Sequence, residues 1–240
     1  MLTDFFSREG RRKLRIRRAA KTLTERYAQP EMRQAAAERL VEMGVPEAIY
    51  QLARRFTMTA SNLEQDDQEK RWIRDLLIEL GERAVEPLRR YVRGHDEITW
   101  VIDALSHLLP ADELAAFLFE VLADGDPVAI RGAKAVQIVD FFGGLEAEGV
   151  AAGVARCLAS TDDTVRIAAV RALGEHRDPA TREALLRALT SEEEDSVRVR
   201  IAIAGLFADL GWEIRGHRPG VARVLPPGFR ITSRGRLLRA

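Results

Sequence analysis

The sequence predicts an all-α chain, built from helical hairpins repeated along most of its length and ending in a short C-terminal β-ribbon. The first observation behind this is compositional. Of 240 residues, 46% are hydrophobic and 31% charged but only 6% aromatic, a balance that suits many half-solvated helices better than a sheet sandwich. The second is internal repetition. Asp126-Pro-Val-Ala-Ile-Arg-Gly-Ala-Lys-Ala135, Asp163-Thr-Val-Arg-Ile-Ala-Ala-Val-Arg-Ala172 and Asp195-Ser-Val-Arg-Val-Arg-Ile-Ala-Ile-Ala204 align without gaps, with starts 37 and 32 residues apart. The third is punctuation: glycine or proline recurs where one apolar periodic segment stops and the next begins.

Each element follows from these signals. A helix over about 11–28 covers the front of the array. Met32 to Gly44 followed by Val45-Pro46 reads as helix, stop and restart, giving a hairpin over 30–58. The polar stretch Thr59 to Asp67 is the longest internal loop. Lys70 to Gly81 and Glu82 to Tyr91 form a hairpin over 68–93, and a third spans 95–123 with its turn at Pro110. The aligned segments open hairpins over 126–159 and 162–190 and a last helix over 195–210. Each starts with an Asp suited to accept free backbone amides at a helix N-terminus. Val165, Ala168, Ala169 and Ala172 recur at helical spacing, and their small side chains permit close helix approach. Leu173-Gly174 reads as the stop of that helix and Asp178-Pro179 as the start of its partner. After Trp212, the segments Val221 to Leu225, Phe229 to Ile231 and Gly235 to Leu238 read as short strands around turns.

The segment Asp162-Asp-Thr-Val-Arg-Ile-Ala-Ala-Val-Arg-Ala-Leu-Gly174 resembles HEAT-like repeats, in the short bacterial variety known from phycobilisome lyases. The likeness covers about residues 30–212, specific over 126–210 and degenerate before. It implies a right-handed α-solenoid of HEAT-like hairpins whose second helices line a concave face that binds other macromolecules, usually as an adaptor without catalysis. The organisation that follows is a basic N-terminal segment and capping helix over 1–29, a repeat array over 30–212, and an Arg-rich extension over 213–240.

No apolar run approaches the ~18–20 residues that a membrane-spanning helix needs, and Met1 to Gly10 has no leader pattern, so the expected location is cytoplasmic. The single cysteine, Cys157, excludes an internal disulfide framework and reads as a small apolar core residue. Net charge is zero but unevenly spread. Residues 1–21 carry eight basic groups against Asp4 and Glu9, which leaves +6, and residues 213–240 carry seven arginines against Glu213, again +6, so the middle holds −12. Basic ends of this kind pair with the protein's own acidic middle, stay solvated, or contact nucleic acid, anionic lipid or an acidic partner. The C-terminal ribbon reads either as a cover for the last repeat or as a basic wing. Phe5 and Phe6 cap the first helix or dip into a membrane surface as a peripheral contact.

Candidate binding residues come from aligning the second helices. Leu52-x-Arg54-x-Phe56, Leu88-x-Arg90-x-Val92, Leu118-x-Glu120-x-Leu122, Val154-x-Arg156-x-Leu158 and Leu185-x-Arg187-x-Leu189 each place a charged residue between two apolar ones four apart, so it points away from their shared face. The resemblance places this ladder in the groove, reinforced by Arg55, Arg89 and Arg93. The plainer reading is a solvated face with helical ion pairs such as Glu86–Arg90 and Glu183–Arg187. Trp100 falls opposite the stripe of Ile98, Val101, Ile102, Leu105 and Leu109, which makes it either an exposed anchor or a contact with the next repeat. Trp72, at the flank of its stripe, reads as core.

The four histidines His95, His107, His176 and His217 lie far apart without ligand spacing, and no phosphate loop, dinucleotide fingerprint or nucleophile elbow is present, so neither a metal nor a cofactor is expected. The reading is a non-catalytic scaffold or adaptor that binds a partner protein through Arg54, Arg90, Trp100, Glu120, Arg156 and Arg187. The alternative is a nucleic-acid-binding protein or an alkylpurine DNA glycosylase of the HEAT-like class, with Trp100 and Asp103 beside Arg90 or Arg156. Against it stands the acidic middle. A phycobilin lyase is a further alternative without an identifiable bilin pocket.

Overall fold

The structure, a computed structural model, describes residues 8–122 and 130–240. Phe5, Phe6 and Asp126 lie outside them, and with them the expected aromatic tip and the first aligned Asp. The chain gathers into two compact units, Met1–Pro110 and Ala111–Ala240. The described residues form thirteen α-helices, a few single-turn 3-10 segments and one two-stranded ribbon.

The first unit holds α1 (Arg8–Leu23), α2 (Pro30–Met43), α3 (Pro46–Ala53), α4 (Leu63–Glu79), α5 (Glu82–Gly94) and α6 (Thr99–Leu108). Helix α1 buries Ile16, Ala19, Ala20 and Leu23, one helical stripe, against α2 and α3. It starts earlier and stops sooner than the predicted 11–28, because Leu23 is its last buried position and Tyr27 beyond it is 83% exposed. Gly44, at φ 56°, closes α2 by donating its N–H to the Leu40 carbonyl, and Pro46 opens α3. Helix α3 packs on α5, and α4 on α6.

The predicted Thr59–Asp67 loop is a correction. Helix α4 begins at Leu63, since the Asn62 side chain accepts the Gln65 N–H at 3.2 Å, and the polar run continues into a helix that buries Asp66. That burial is part of a charged cluster. Arg55 donates to Asp66 Oδ1 at 2.6 Å, to Glu69 Oε1 at 2.7 Å and to the Met58 carbonyl at 2.9 Å. Arg33 meets Glu69 at 2.9 Å and Lys70 meets Asp66 at 2.7 Å. Burial alone would raise both carboxyls, but Lys70, the Ala60 N–H and Arg55 hold Asp66 below the usual carboxylate range, and Arg33 and Arg55 do the same for Glu69.

The second unit holds α7 (Ala111–Leu122), α8 (Gly132–Gly143), α9 (Val150–Arg156), α10 (Asp163–His176), α11 (Arg182–Thr190), α12 (Val197–Leu210), α13 (Arg218–Val224), β1 (Phe229–Ile231) and β2 (Leu237–Arg239). Helix α10 packs against both α8 and α12 and buries Val165, Ala168, Ala169 and Ala172. The caps shift by one residue from expectation. Asp162, not Asp163, accepts the Thr164 N–H at 2.9 Å, while its second oxygen takes the Gly132 N–H at 3.0 Å. Ser196, not Asp195, precedes α12. Gly174 does not end α10, which runs two residues further to a left-handed Arg177. A Cβ at Gly174 would meet Leu206 Cδ1 at 2.8 Å, so this glycine serves the approach of α12. Arg166 is buried in a two-pronged pair with Glu194 at 2.9 Å, which ties α10 to the turn before α12.

Val221 to Leu225 is not a strand. Pro219 opens the helix α13 there, and Val221 is buried, a turn from Val224. The ribbon itself forms: β1 and β2 pair antiparallel, Phe229 opposite Arg239 and Ile231 opposite Leu237. Strand β2 lies on α12, with Leu237 and Ile214 fully buried.

Candidate partner-binding surface

On every second helix the charged residue between two apolar ones turns outward. Leu52, Phe56, Leu88, Val92, Leu118, Val154, Leu158, Leu185 and Leu189 are buried, while Arg90, Glu120, Arg156 and Arg187 are exposed and Arg54 is half-buried. Arg54 and Arg90 belong to the first unit, and Glu120, Arg156 and Arg187 to the second.

In the first unit Arg54 donates to Gln51 at 3.1 Å and lines a cleft of about 780 Å³ between α1 and α3, together with Lys13, Arg17 and Lys21. Arg90 reaches across to Glu47 on α3 at 2.8 Å and lies 3.8 Å over the Tyr50 ring. Burial would raise the Glu47 carboxyl, but the Gln51 amide and Arg90 outweigh it and keep it low. Trp100 is half-buried and stacks on Phe56 at the end of the first hairpin, with centroids 6.2 Å apart and planes 10° apart. Trp72 is half-buried too. Asp103 faces Arg74 at 3.0 Å. A pairing of Asp103 with Trp100 for base excision would first have to release that arginine.

Two expectations fail here. Arg55 does not reinforce the ladder: it is fully buried among Asp66, Glu69 and the Met58 carbonyl, because a guanidinium has five donors and all its nearby acceptors lie inward. The helical ion pairs are also different partners. Glu86 meets Arg89 at 3.1 Å and Glu183 meets His217 at 3.0 Å. The sequence reading missed Arg33, Asp66, Glu69 and Arg166 altogether. The available signal was an Arg on the first helix of a repeat followed about 30 residues later by a Glu near the start of the next, as in Arg33–Glu69 and Arg166–Glu194.

The second unit brings more of the predicted residues together. Arg156 lines two neighbouring grooves. One, of about 590 Å³, runs between α7 and α9 beside Phe119 and Gly153, and the Arg156 guanidinium lies 5.9 Å from the Phe119 ring centre. Gly153 is required there, since a Cβ would stand 2.2 Å from the Phe119 Cζ. The other, of about 700 Å³, runs along α11 and is lined by Arg156, Ala184, Arg187, Ala188, Glu193 and Asp195. A lining that mixes alanines with arginines and carboxylates can take the backbone and side chains of an extended or helical segment. Cys157, next to Arg156, points inward, and burial pushes its thiol up to about 11, so it stays protonated at neutral pH. No helix among the described residues is long and apolar enough to cross a membrane.

A family model described as HEAT repeats matches residues 150–211, from α9 through α12. No curated protein and no solved structure matches the chain.

Proposed function

We propose, from the premise that the chain is a HEAT-like repeat protein, that it is an adaptor which binds a partner protein through its second helices. HEAT repeats commonly mediate protein–protein interaction, and the array assigned to 30–212 carries the proposed contacts. The observation that carries the reading is the groove of about 700 Å³ along α11, whose lining combines Arg156, Arg187, Glu193 and Asp195 with small apolar side chains such as Ala184 and Ala188. A lining of mixed charge and small apolar groups suits a polypeptide with both apolar anchors and ionic groups, and suits a uniform polyanion poorly. Glu120 in the second unit, and Arg54, Arg90 and Trp100 in the first, are further proposed contact residues, each unit by itself.

The test is capture from host lysate treated with nuclease, comparing wild type, Arg156→Glu/Arg187→Glu, and the off-groove control Arg230→Glu. A protein retained by wild type and control but lost from the groove variant, with helicity unchanged by circular dichroism, supports the adaptor reading. Equal capture by all three overturns the groove assignment, and capture that disappears with nuclease overturns the protein-partner reading.

A further inference from the structure

Helix α1 carries eight cations in sixteen residues, Arg8, Arg11, Arg12, Lys13, Arg15, Arg17, Arg18 and Lys21, against the single carboxylate of Glu9, which pairs with Lys13 at 2.9 Å. Elsewhere in the molecule several arginines find carboxylates, among them Arg33, Arg55, Arg74, Arg90, Arg166, Arg171 and Arg239. Among the described residues, no carboxylate lies within ion-pair distance of Arg15, Arg17, Arg18 or Lys21, all of which are exposed. Like charges at i, i+4 repel along this helix. They persist here in two rows, Lys13–Arg17–Lys21 on the α3 side and Arg11–Arg15–Arg18 on the other flank.

The rest of the helix defines what such a surface fits. Its apolar stripe is consumed by α2 and α3, so α1 has no face to insert into a bilayer. Its exposed arc carries a single half-buried apolar side chain, Leu14, between the two rows, whereas protein interfaces concentrate several apolar and aromatic groups at the core and deplete charge there. What remains is a polyanion contacted along its backbone. Steps of four residues advance about 6 Å along a helix, comparable to the spacing of successive phosphates on an extended strand, and guanidinium forks suit phosphate oxygens. Clefts of about 780 and 670 Å³ flank α1, the first lined by Lys13, Arg17, Lys21 and Arg54 and the second by Arg8, Arg11, Arg12 and Arg15. Immediately after the helix, Tyr27 stands 83% exposed beside the exposed Arg26, an aromatic face available to an unpaired base.

We propose that α1 and the turn after it bind single-stranded nucleic acid, phosphates on the two cationic rows and a base stacked on Tyr27. This surface lies in the first unit, and the groove that carries the adaptor reading and is tested for it lies in the second, so either can fail alone. The experiment is fluorescence anisotropy of the full chain with labelled 20-nucleotide single-stranded RNA, single-stranded DNA and duplex DNA across a salt series. Three proteins are compared: wild type, Arg15→Gln/Arg17→Gln/Arg18→Gln/Lys21→Gln, and Tyr27→Ala. Wild type is expected to bind single strands more tightly than duplex. The quadruple variant, with wild-type helicity, loses about tenfold or more at low salt and shows a log–log salt slope shallower by about 3, the release expected from four lost phosphate contacts. Tyr27→Ala weakens binding about fivefold with the slope unchanged. Absence of binding at low salt, or a quadruple variant that binds like wild type, overturns the proposal. Duplex bound as tightly as single strands overturns the single-strand assignment, and tighter association with phosphatidylserine vesicles than with either strand assigns the surface to lipid instead.

Discussion

The two ends of this chain carry the same net charge and use it in opposite ways. At the C-terminus arginines fold back: Arg239 holds Asp209 at 2.8 Å, Arg236 approaches Glu213 at 3.6 Å, and Arg218 donates to the Thr232 carbonyl at 2.9 Å. These contacts dock a ribbon whose Leu237 covers the last repeat helix. At the N-terminus the helix buries only its apolar stripe, and Arg15, Arg17, Arg18 and Lys21 make no ion pair among the described residues. Equal charge in sequence therefore hides two physical roles. What separates them is whether carboxylates and carbonyls of the same chain lie within reach.

The comparison sharpens first at the opposite extreme from α1, the fully buried Arg55. Removing one member of a buried charge cluster strands the others, so Arg55→Met is expected to destabilise the first unit by about 3–5 kcal/mol in denaturant unfolding at neutral pH. The deficit should narrow in acid. Asp66 and Glu69 are held below the usual carboxylate range when folded, so their contribution is complete above the unfolded carboxyl pKa and is lost as pH falls through the lowered folded values. A deficit as large at pH 2 as at pH 7 would show that the cluster acts by packing and not by charge.

At the C-terminus the expected effect is apolar. Leu237 is fully buried on α12, and Leu237→Ala should cost about 2–5 kcal/mol in the unfolding of the second unit. If thermal melting of that variant matches wild type, the ribbon is an appendage and its arginines are available for other work.

Much of this was legible in the sequence, and the failures share a cause. Helix periodicity, Gly44 with Pro46, and the outward turn of Arg90, Glu120, Arg156 and Arg187 follow from local pattern alone. The residues that went wrong answer to distant neighbours. Gly174 looks like a stop until Leu206 is known to approach it; Asn62 to Asp67 looks like a loop until Arg55 is known to bury Asp66. Val221 to Leu225 alternates well enough for a strand, and only its packing beside α11 makes it a helix. Trp100, off its own stripe, finds Phe56 in another hairpin. The two basic ends were indistinguishable for the same reason, since pairing across 30 residues leaves no local mark.

The smallest expected stability change is also the one that separates the two ends. The Arg15→Gln/Arg17→Gln/Arg18→Gln/Lys21→Gln variant removes four charges that make no ion pair within the described chain and that repel one another along α1. Its thermal midpoint should therefore not fall, and in low salt it should rise, with the gain disappearing as salt screens the repulsion. A lower midpoint at every salt concentration would mean these side chains hold the first unit together by contacts with its acidic residues, which would make the N-terminal helix a cap like the C-terminal ribbon. Retained stability means that the charge on α1 is not there for the fold. That is the condition under which a surface kept cationic at the expense of local repulsion has to be explained by what it binds.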